Sequence, residues 1–340
     1  MSSITNRSLA ENRSLYAPEG GQKRLDADMG HLLRRLEALD PRPFDTLSVG
    51  EARVQPTLAK VLRSLLREGD ESMGVGLELR MVPGPGGDIP LRLYTPPVPV
   101  PDNRCIVLYL HGGGFVVGDL PTNDAAPRAL CRRLGAMVVA PLYRLAPENV
   151  FPAAHEDTLA VWTWLVANAA SLGGTAALLA LVGDGSGGNL AVNLALDARD
   201  GGLPRPRHLA LISPMLGTDS GLSSYAENRA TLPLRSATVE WFWSKYARDA
   251  ADLKSPQLNL IDRTDLGKLP ATTIILPELD PLRSEGEQFA QALRRSGVWV
   301  DSLVYDGVTH GFFDLPQAVN KAMFAHAQVT RNIRASLETS

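Results

Sequence analysis

Five near-continuous apolar runs alternate with helical patterns along this chain, and this alternation restricts the fold more than any other feature. The apolar runs lie at 105–112, 136–143, 177–184, 209–215 and 272–280. The helical patterns between and after them lie at 124–134, 153–168, 187–200 and 285–296. Long apolar runs are typical of strands buried on both faces of a parallel sheet. We therefore predict a doubly wound α/β sheet with right-handed crossovers.

Further elements flank this alternation. Two segments with alternating apolar residues, 77–84 and 89–96, are joined by a Gly- and Pro-containing turn and predict a hairpin. The segment 301–307 predicts a last strand and 316–337 a last helix. The predicted sheet therefore has eight strands, is mostly parallel and is flanked by helices.

Two other regions fall outside the sheet pattern. Helical patterns at 28–39 and 48–66, the second broken near Pro56, precede the first strand. The stretch 217–260 interrupts the rhythm and contains the bulky sequence Trp241-Phe242-Trp243. We predict an N-terminal helical cap segment over 1–70 and a sheet domain over 71–340, with a second cap element inserted at 217–260.

Composition excludes several classes of function. The chain has 340 residues, a formal net charge of −3 and no polybasic tract, so we expect no nucleic-acid partner. It contains no run of about 18 apolar residues and no secretory leader, which predicts a cytoplasmic protein without a membrane span. Its two cysteines, Cys105 and Cys131, predict buried free thiols. The scattered histidines and the missing G-K-[ST] ending predict no metal and no cofactor.

Polar motifs follow the predicted strands at one edge of the sheet. They are HGGGF after the third strand, YRLAPE after the fourth, GDGSGGN after the fifth, DPLRSE after the seventh and THGFF after the eighth. Ligands bind beyond the carboxyl ends of the strands in sheets of this kind. These motifs therefore predict the functional site.

Together the motifs HGGGFVVGD, YRLAPE, GDGSGGN, DPLRSEGE and YDGVTHGFF resemble the hormone-sensitive-lipase-like carboxylesterases, also called the bacterial family IV esterases. The resemblance runs from about residue 77 to the end of the chain. It implies an α/β-hydrolase fold with helical cap elements. It also implies hydrolysis of small or medium acyl esters without a cofactor, with an acyl compound as the small-molecule partner.

The resemblance also implies an acid–base pair. His310 matches the general base of the family, and Asp280 matches the acid that orients it, in the order expected of a Ser-Asp-His triad. An Asp-Pro sequence is also a common turn former, which is the alternative interpretation of Asp280. The remaining histidines with predicted structural roles are His31, His155, His208 and His326.

A glycine-rich loop predicts an oxyanion hole. Glycines let the backbone approach a substrate without an intervening Cβ. By resemblance, the N–H groups of Gly112 and Gly113 supply two donors, and the N–H of Ser186 supplies a third. The predicted supporting residues are His111, Gly114, Glu148, Asp184 and Asn189.

The nucleophile position is occupied by Gly185. Family members have G-D-S-A-G-G-N or G-D-S-S-G-G-N here, so the aligned Asp184, Gly187 and Asn189 leave glycine where serine is expected. Ser186 is one position later, at the start of a helix whose successive side chains point about 100° apart. We therefore expect its hydroxyl to miss His310 unless the turn is rebuilt. The chain as written is predicted to be nearly inactive on esters.

Other interpretations stay open at this stage. Gly185 is either a deliberate replacement of the serine that stops turnover or the result of a natural loss of the serine. Without a nucleophile, the scaffold suits a lyase, dehydratase or cyclase that uses His310 as its acid and base, or a ligand-binding protein without activity. Ser186 remains a substitute nucleophile. A homodimer through the edge strand near 301–307 is expected from the resemblance.

Overall fold

The computed structural model describes residues 25–67, 74–98 and 105–338. Its eight strands are β1 (Gly76–Val82), β2 (Ile89–Thr95), β3 (Ile106–Leu110), β4 (Met137–Pro141), β5 (Leu179–Asp184), β6 (His208–Ile212), β7 (Ala271–Leu279) and β8 (Val300–Thr309). They form one sheet in the order β1-β2-β4-β3-β5-β6-β7-β8. Strand β2 is antiparallel to both of its neighbours, and β3 to β8 are parallel. The predicted mostly parallel, eight-stranded α/β architecture is confirmed.

Helices cover both faces of this sheet. They are α1 (Ala27–Glu37), α2 (Val49–Arg53), α3 (Leu58–Leu65), α4 (Ala125–Leu134), α5 (Ala153–Asn168), α6 (Ser186–Asp200), α7 (Ser223–Glu227), α8 (Ser236–Tyr246), α9 (Arg283–Arg295) and α10 (Asn320–Glu338). The last helix begins at Asn320 and not at 316 as predicted, because the residues before it form a turn.

Alternate residues of the central strands belong to two different hydrophobic cores. On β3, Leu108 packs with residues of α5, α6 and α9, whereas Val107 and Tyr109 pack with residues of α4 and α10. Side chains point to opposite faces of a strand with a period of two, which explains why these strands are apolar throughout. Burying each large apolar side chain contributes about 1.5–3 kcal/mol, so the central strands form a rigid base for the loops at their ends.

The N-terminal helices pack onto the sheet domain. Buried leucines of α1 and α3, such as Leu33 and Leu62, belong to the same core as α4 and α10. The predicted break near Pro56 is confirmed, since α2 ends at Arg53 and α3 begins at Leu58. Residues 1–24 and 68–70 of the predicted cap segment lie outside the described residues. The division at residue 70 therefore stays a prediction.

The insertion between β6 and β7 contains α7 and α8. Trp241, Phe242 and Trp243 are buried in it, and the Phe44 ring lies 6.1 Å from that of Trp241 and 5.9 Å from that of Phe242. The Trp243 indole donates a hydrogen bond to the carbonyl oxygen of Gly217 (3.1 Å). The aromatic cluster thus joins the insertion to the N-terminal segment.

Other predictions from the sequence concern the cysteines, a membrane span and the edge strand. Cys105 and Cys131 are both buried and are not joined in a disulfide, as predicted. Across the described ranges, the helices lack the combination of length and apolar character that crossing a membrane requires. Strand β8 lies at one edge of the sheet, where the Leu303 side chain is half exposed.

Candidate active site

Asp280 and His310 lie side by side because their strands are neighbours. Strands β7 and β8 pair in parallel, and a register shift near the end of β7 sets Leu279 opposite Thr309. Asp280 and His310 directly follow these residues, and His310 Nδ1 lies 2.8 Å from Asp280 Oδ2. Asp280 Oδ1 also accepts the N–H of Leu282 (2.9 Å). The aspartate therefore both shapes the Asp-Pro turn and orients the imidazole.

The imidazole of His310 lies among three carboxyl groups. Its side chain is 22% exposed, and burial on its own would lower its pKa. The carboxylate of Asp280, with the carboxyl groups of Asp184 and Asp314, outweighs this effect and raises the pKa to about 9. The neighbouring carboxyl groups therefore favour the protonated imidazole of His310 more strongly than water does.

Asp314 is a residue of this region that the sequence did not single out. It follows His310 by four positions in a 3-10 turn, and its buried carboxyl group lies near that of Asp184. Desolvation raises the pKa of both groups, of Asp184 to about 6 and of Asp314 well above its usual value. Both carboxyl groups therefore ionise less readily than they would in water. The supporting role of Asp184 stays a prediction.

A sharp strand–turn–helix connection places Gly185 at the carboxyl end of β5. The strand ends at Asp184 and α6 begins at Ser186, so Gly185 alone makes the turn, with φ +50° and ψ −117°. Its N–H donates to the Ile212 carbonyl (2.9 Å), and its own carbonyl accepts the N–H of Met215 (2.9 Å). This is the geometry of a nucleophile elbow, whose conformation is strained for any residue with a side chain.

A side chain at position 185 would face the imidazole. A Cβ placed on Gly185 lies 3.7 Å from Gly112 Cα and 4.0 Å from His310 Nε2, which is ordinary van der Waals contact. A serine therefore fits the site, with its Cβ directed into the gap between the glycine loop and the general-base position.

The register of this turn is fixed by packing. A shift that brought Ser186 to the elbow would move Asp184 to the place of Gly183. A Cβ at Gly183 would lie 2.3 Å from the carbonyl oxygen of Gly187, closer than any real Cβ contact. The chain therefore cannot present Ser186 at the elbow by sliding one residue along β5.

The side chain of Ser186 lies elsewhere. It is buried, and its Oγ accepts the backbone N–H of Phe115 (3.2 Å). The Tyr143 hydroxyl, which donates to the His111 carbonyl, lies beside it. These contacts tie the first turn of α6 to the glycine loop and not to His310.

The glycine loop follows β3 and is held by Tyr143. The Tyr143 hydroxyl donates to the His111 carbonyl (2.7 Å), and the two rings stack with centroids 4.3 Å apart. In the part of the chain that the structure describes, the N–H groups of Gly112, Gly113 and Ser186 donate to no protein acceptor. All three predicted donors are therefore available to an oxygen at the site.

The insertion closes directly over this loop. A Cβ at Gly114 would lie 2.0 Å from the ring of Phe242, so only glycine permits the contact. The neighbouring Phe115 ring stacks on Tyr246 with centroids 3.9 Å apart and planes 7° apart. The predicted supporting position of Gly114 is thus explained by packing against α8.

Asn189 and His155 form a buried polar link behind the elbow. His155 Nε2 lies 3.0 Å from Asn189 Oδ1, and His155 Nδ1 lies 2.9 Å from the Tyr246 hydroxyl. Burial lowers the pKa of His155 to about 4, so its ring is neutral at neutral pH. The link connects α6, α5 and the insertion.

Arg53 is a second residue that sequence reasoning missed. From the end of α2 its guanidinium donates to both carboxylate oxygens of Glu148 (2.7 Å each). It also donates to the carbonyl groups of Ala146 and Val116 (2.9 Å each). Glu148, a predicted supporting residue, thus joins the N-terminal segment to the glycine loop through Arg53. A lone arginine in a short helix carries no sequence signal for this contact.

An orienting carboxylate, an imidazole, a strand–helix elbow and free loop N–H groups meet at the carboxyl edge of a mostly parallel sheet. This arrangement defines the α/β-hydrolase class. A family model described as the alpha/beta hydrolase fold matches residues 107–314. The chain belongs to this family and is of the carboxylesterase type.

Individual proteins similar to this chain have names of the same class. An ethyl acetate hydrolase of Pseudomonas putida is 36% identical over 82% of this chain and 88% of its own length. The carboxylesterase NlhH of Mycobacterium tuberculosis is 36% identical over 69% of this chain and 74% of its own. A solved esterase of Pyrobaculum calidifontis is 33% identical and superposes with a TM-score of 0.81, covering 92% of this chain and 98% of that one.

Proposed function

We propose that this chain is built to hydrolyse small or medium acyl esters and that, as written, it is nearly inactive because Gly185 occupies the nucleophile position. The observation that carries the proposal is the elbow. A Cβ placed on Gly185 faces His310 Nε2 at 4.0 Å, and the Ser186 hydroxyl is engaged with the glycine loop. The remaining parts of an acyl-transfer site stand around this position.

The proposed mechanism assigns a role to each part once a serine stands at position 185. The serine Oγ attacks the ester carbonyl while His310 Nε2 takes its proton. Asp280 keeps the imidazole in the tautomer that leaves Nε2 as acceptor. The N–H groups of Gly112, Gly113 and Ser186 stabilise the oxyanion. His310 then returns the proton to the leaving alcohol, and water hydrolyses the acyl-enzyme by the same steps.

The size of the expected defect follows from other triad enzymes. Removing the nucleophile lowers turnover by about 10⁶, whereas oxyanion hole and binding leave roughly 10³–10⁴ over the uncatalysed rate. The chain with Gly185 is therefore expected to bind acyl compounds and to turn them over very slowly.

The choice of substrate class draws on the relatives. One of them is named an ethyl acetate hydrolase and another a carboxylesterase, which supports small or medium acyl esters. Relatives of this kind do not favour the lyase, dehydratase, cyclase or ligand-binding alternatives. The half-buried Phe44 ring packs against the buried rings of Trp241 and Phe242 beside the glycine loop, which supports an apolar wall for the acyl group.

The test compares p-nitrophenyl acetate and butyrate hydrolysis by the protein and by Gly185→Ser. We expect a gain of several orders of magnitude in kcat for Gly185→Ser. The matched control is Gly185→Ser combined with His310→Ala, in which the gain disappears. Equal rates for the protein and Gly185→Ser would contradict the proposal.

Two further expectations belong to this proposal. We propose that two copies pair through the edge strand β8, where Leu303 is half exposed. Light scattering of the protein and of Leu303→Asp tests this pairing, with a dimer expected for the first and a monomer for the second. The cytoplasm stays the predicted location.

A further inference from the structure

The space in front of Gly185 borders on the general-base position. The nearest atoms to a Cβ placed there are Gly112 Cα at 3.7 Å and His310 Cε1 and Nε2 at 3.9 and 4.0 Å. Glycine leaves this space open, and no contact is tight enough to close it. The space therefore accepts a Cβ without a tight contact, and it borders on Nε2, the atom with which a general base would take a proton.

The base on one side of this space is fixed in direction. Asp280 binds Nδ1 of His310 at 2.8 Å, so Nε2 is the nitrogen left for the space near Gly185. The carboxyl groups that face the imidazole are those of Asp280, Asp184 and Asp314. Free N–H groups of Gly112, Gly113 and Ser186 lie beside the same space. A base and oxyanion donors are thus present without a protein nucleophile.

We propose that the protein hydrolyses activated esters by direct attack of a water molecule held between Gly185, Gly112 and His310, with no acyl-enzyme intermediate. This inference rests on the proposed function, because it uses the same oxyanion donors and the same Asp280–His310 pair. It adds a different nucleophile and a different number of chemical steps.

The chemistry balances with water and ester alone. The water oxygen forms a bond to the carbonyl carbon while its proton passes to His310 Nε2, and the carbonyl electron pair moves to the oxygen held by the loop N–H groups. The tetrahedral species then collapses. The bond to the alkoxy oxygen breaks, and His310 returns the proton to the leaving alcohol. The products are the acid and the alcohol.

The test uses p-nitrophenyl acetate with four proteins: the unmodified chain, His310→Ala, Gly185→Ala and Gly185→Ser. The unmodified chain is expected to show slow, linear release without a burst and no acetylated protein by mass spectrometry. Its kcat/KM is expected to rise with pH and to level off above about pH 9, as His310 loses its proton. His310→Ala is expected to lower kcat/KM at least ten-fold.

Gly185→Ala is the decisive variant. Its methyl group meets no close contact but takes the place of the water, so we expect kcat/KM at least ten-fold below that of the unmodified chain. Gly185→Ser carries the same backbone strain at φ +50° and serves as the folding control. If Gly185→Ala does not fold, the rate of His310→Ala and the presence or absence of a burst still test direct water attack.

The possible outcomes distinguish a failure of the proposed function from a failure of direct water attack. Without a gain in Gly185→Ser, the proposed function fails. With that gain, an unchanged rate in Gly185→Ala or in His310→Ala overturns direct water attack. An acetyl group that accumulates on Ser186 of the unmodified chain also overturns it.

Discussion

The candidate site has two halves that meet at one edge of the sheet. One half consists of side chains and the other of backbone. Asp280 and His310, which follow β7 and β8, contribute side chains whose Oδ2 and Nδ1 atoms lie 2.8 Å apart. The elbow after β5 is made by the backbone, and Gly185 keeps φ +50° although it has no side chain to direct. Its hydrogen bonds to Ile212 and Met215 hold the turn. The elbow conformation is thus set by the sheet, and a nucleophile at position 185 is an addition to it.

The largest expected effects separate these halves in the Gly185→Ser background. There, His310→Ala is expected to lower kcat by about 10⁶ and Asp280→Asn by about 10⁴, because each removes a function of one triad. Stopped-flow hydrolysis of p-nitrophenyl butyrate measures both. A loss below ten-fold for Asp280→Asn would contradict the orienting role of the carboxylate.

The histidines His310 and His155 give a second contrast, in their pKa values. Carboxyl groups raise the pKa of His310 to about 9, whereas burial lowers that of His155 to about 4. Unfolding returns His155 to an ordinary pKa near 6.5. Its contribution to the free energy of unfolding is therefore present above pH 6.5 and is lost as the pH falls toward 4, by up to about 3 kcal/mol at 1.36 kcal/mol per pKa unit.

Urea unfolding between pH 4 and 7 measures this effect. His155→Gln, whose amide can bind Asn189, is expected to show a shallower fall of the free energy of unfolding toward acid pH. His31→Gln, at an exposed position on α1, is the control. An identical slope for His155→Gln and the unmodified chain would contradict the account.

A smaller effect is expected for the contact between the N-terminal segment and the glycine loop. Arg53→Ala removes hydrogen bonds to Glu148, Ala146 and Val116. In the Gly185→Ser background we expect kcat/KM to fall about ten-fold, since bonds to charged groups contribute roughly 1.5–3 kcal/mol. Arg42→Ala, which breaks an exposed ion pair with Glu51, is the matched control and is expected to change little.

The smallest effect is expected for Ser186→Ala. This change removes the acceptor for the Phe115 N–H but keeps the Ser186 backbone donor. In the Gly185→Ser background we expect a fall in kcat below ten-fold and a loss of stability of about 1 kcal/mol. Thermal unfolding and initial rates measure the two. A loss as large as that of His310→Ala would make Ser186 the nucleophile.

The sequence predicted the eight strands and the edge where the site lies, because strand burial and loop motifs are local signals. The sequence pattern predicted that the last strand ends at residue 307, whereas β8 extends to Thr309 and His310 follows it directly. Arg53 and Asp314 were missed for one physical reason. Each acts through a contact with a residue far along the chain, Glu148 for the first and Asp184 for the second. The order of the strands, which creates such contacts, leaves no local pattern.

The central claim is that position 185 is the nucleophile position and that Ser186 is not. Labelling with a p-nitrophenyl alkylphosphonate, followed by mass spectrometry of the peptide over β5 and α6, tests it most directly. We predict one phosphonyl group at position 185 of the Gly185→Ser variant and none on the unmodified protein. A phosphonyl group on Ser186 of the unmodified protein would contradict it.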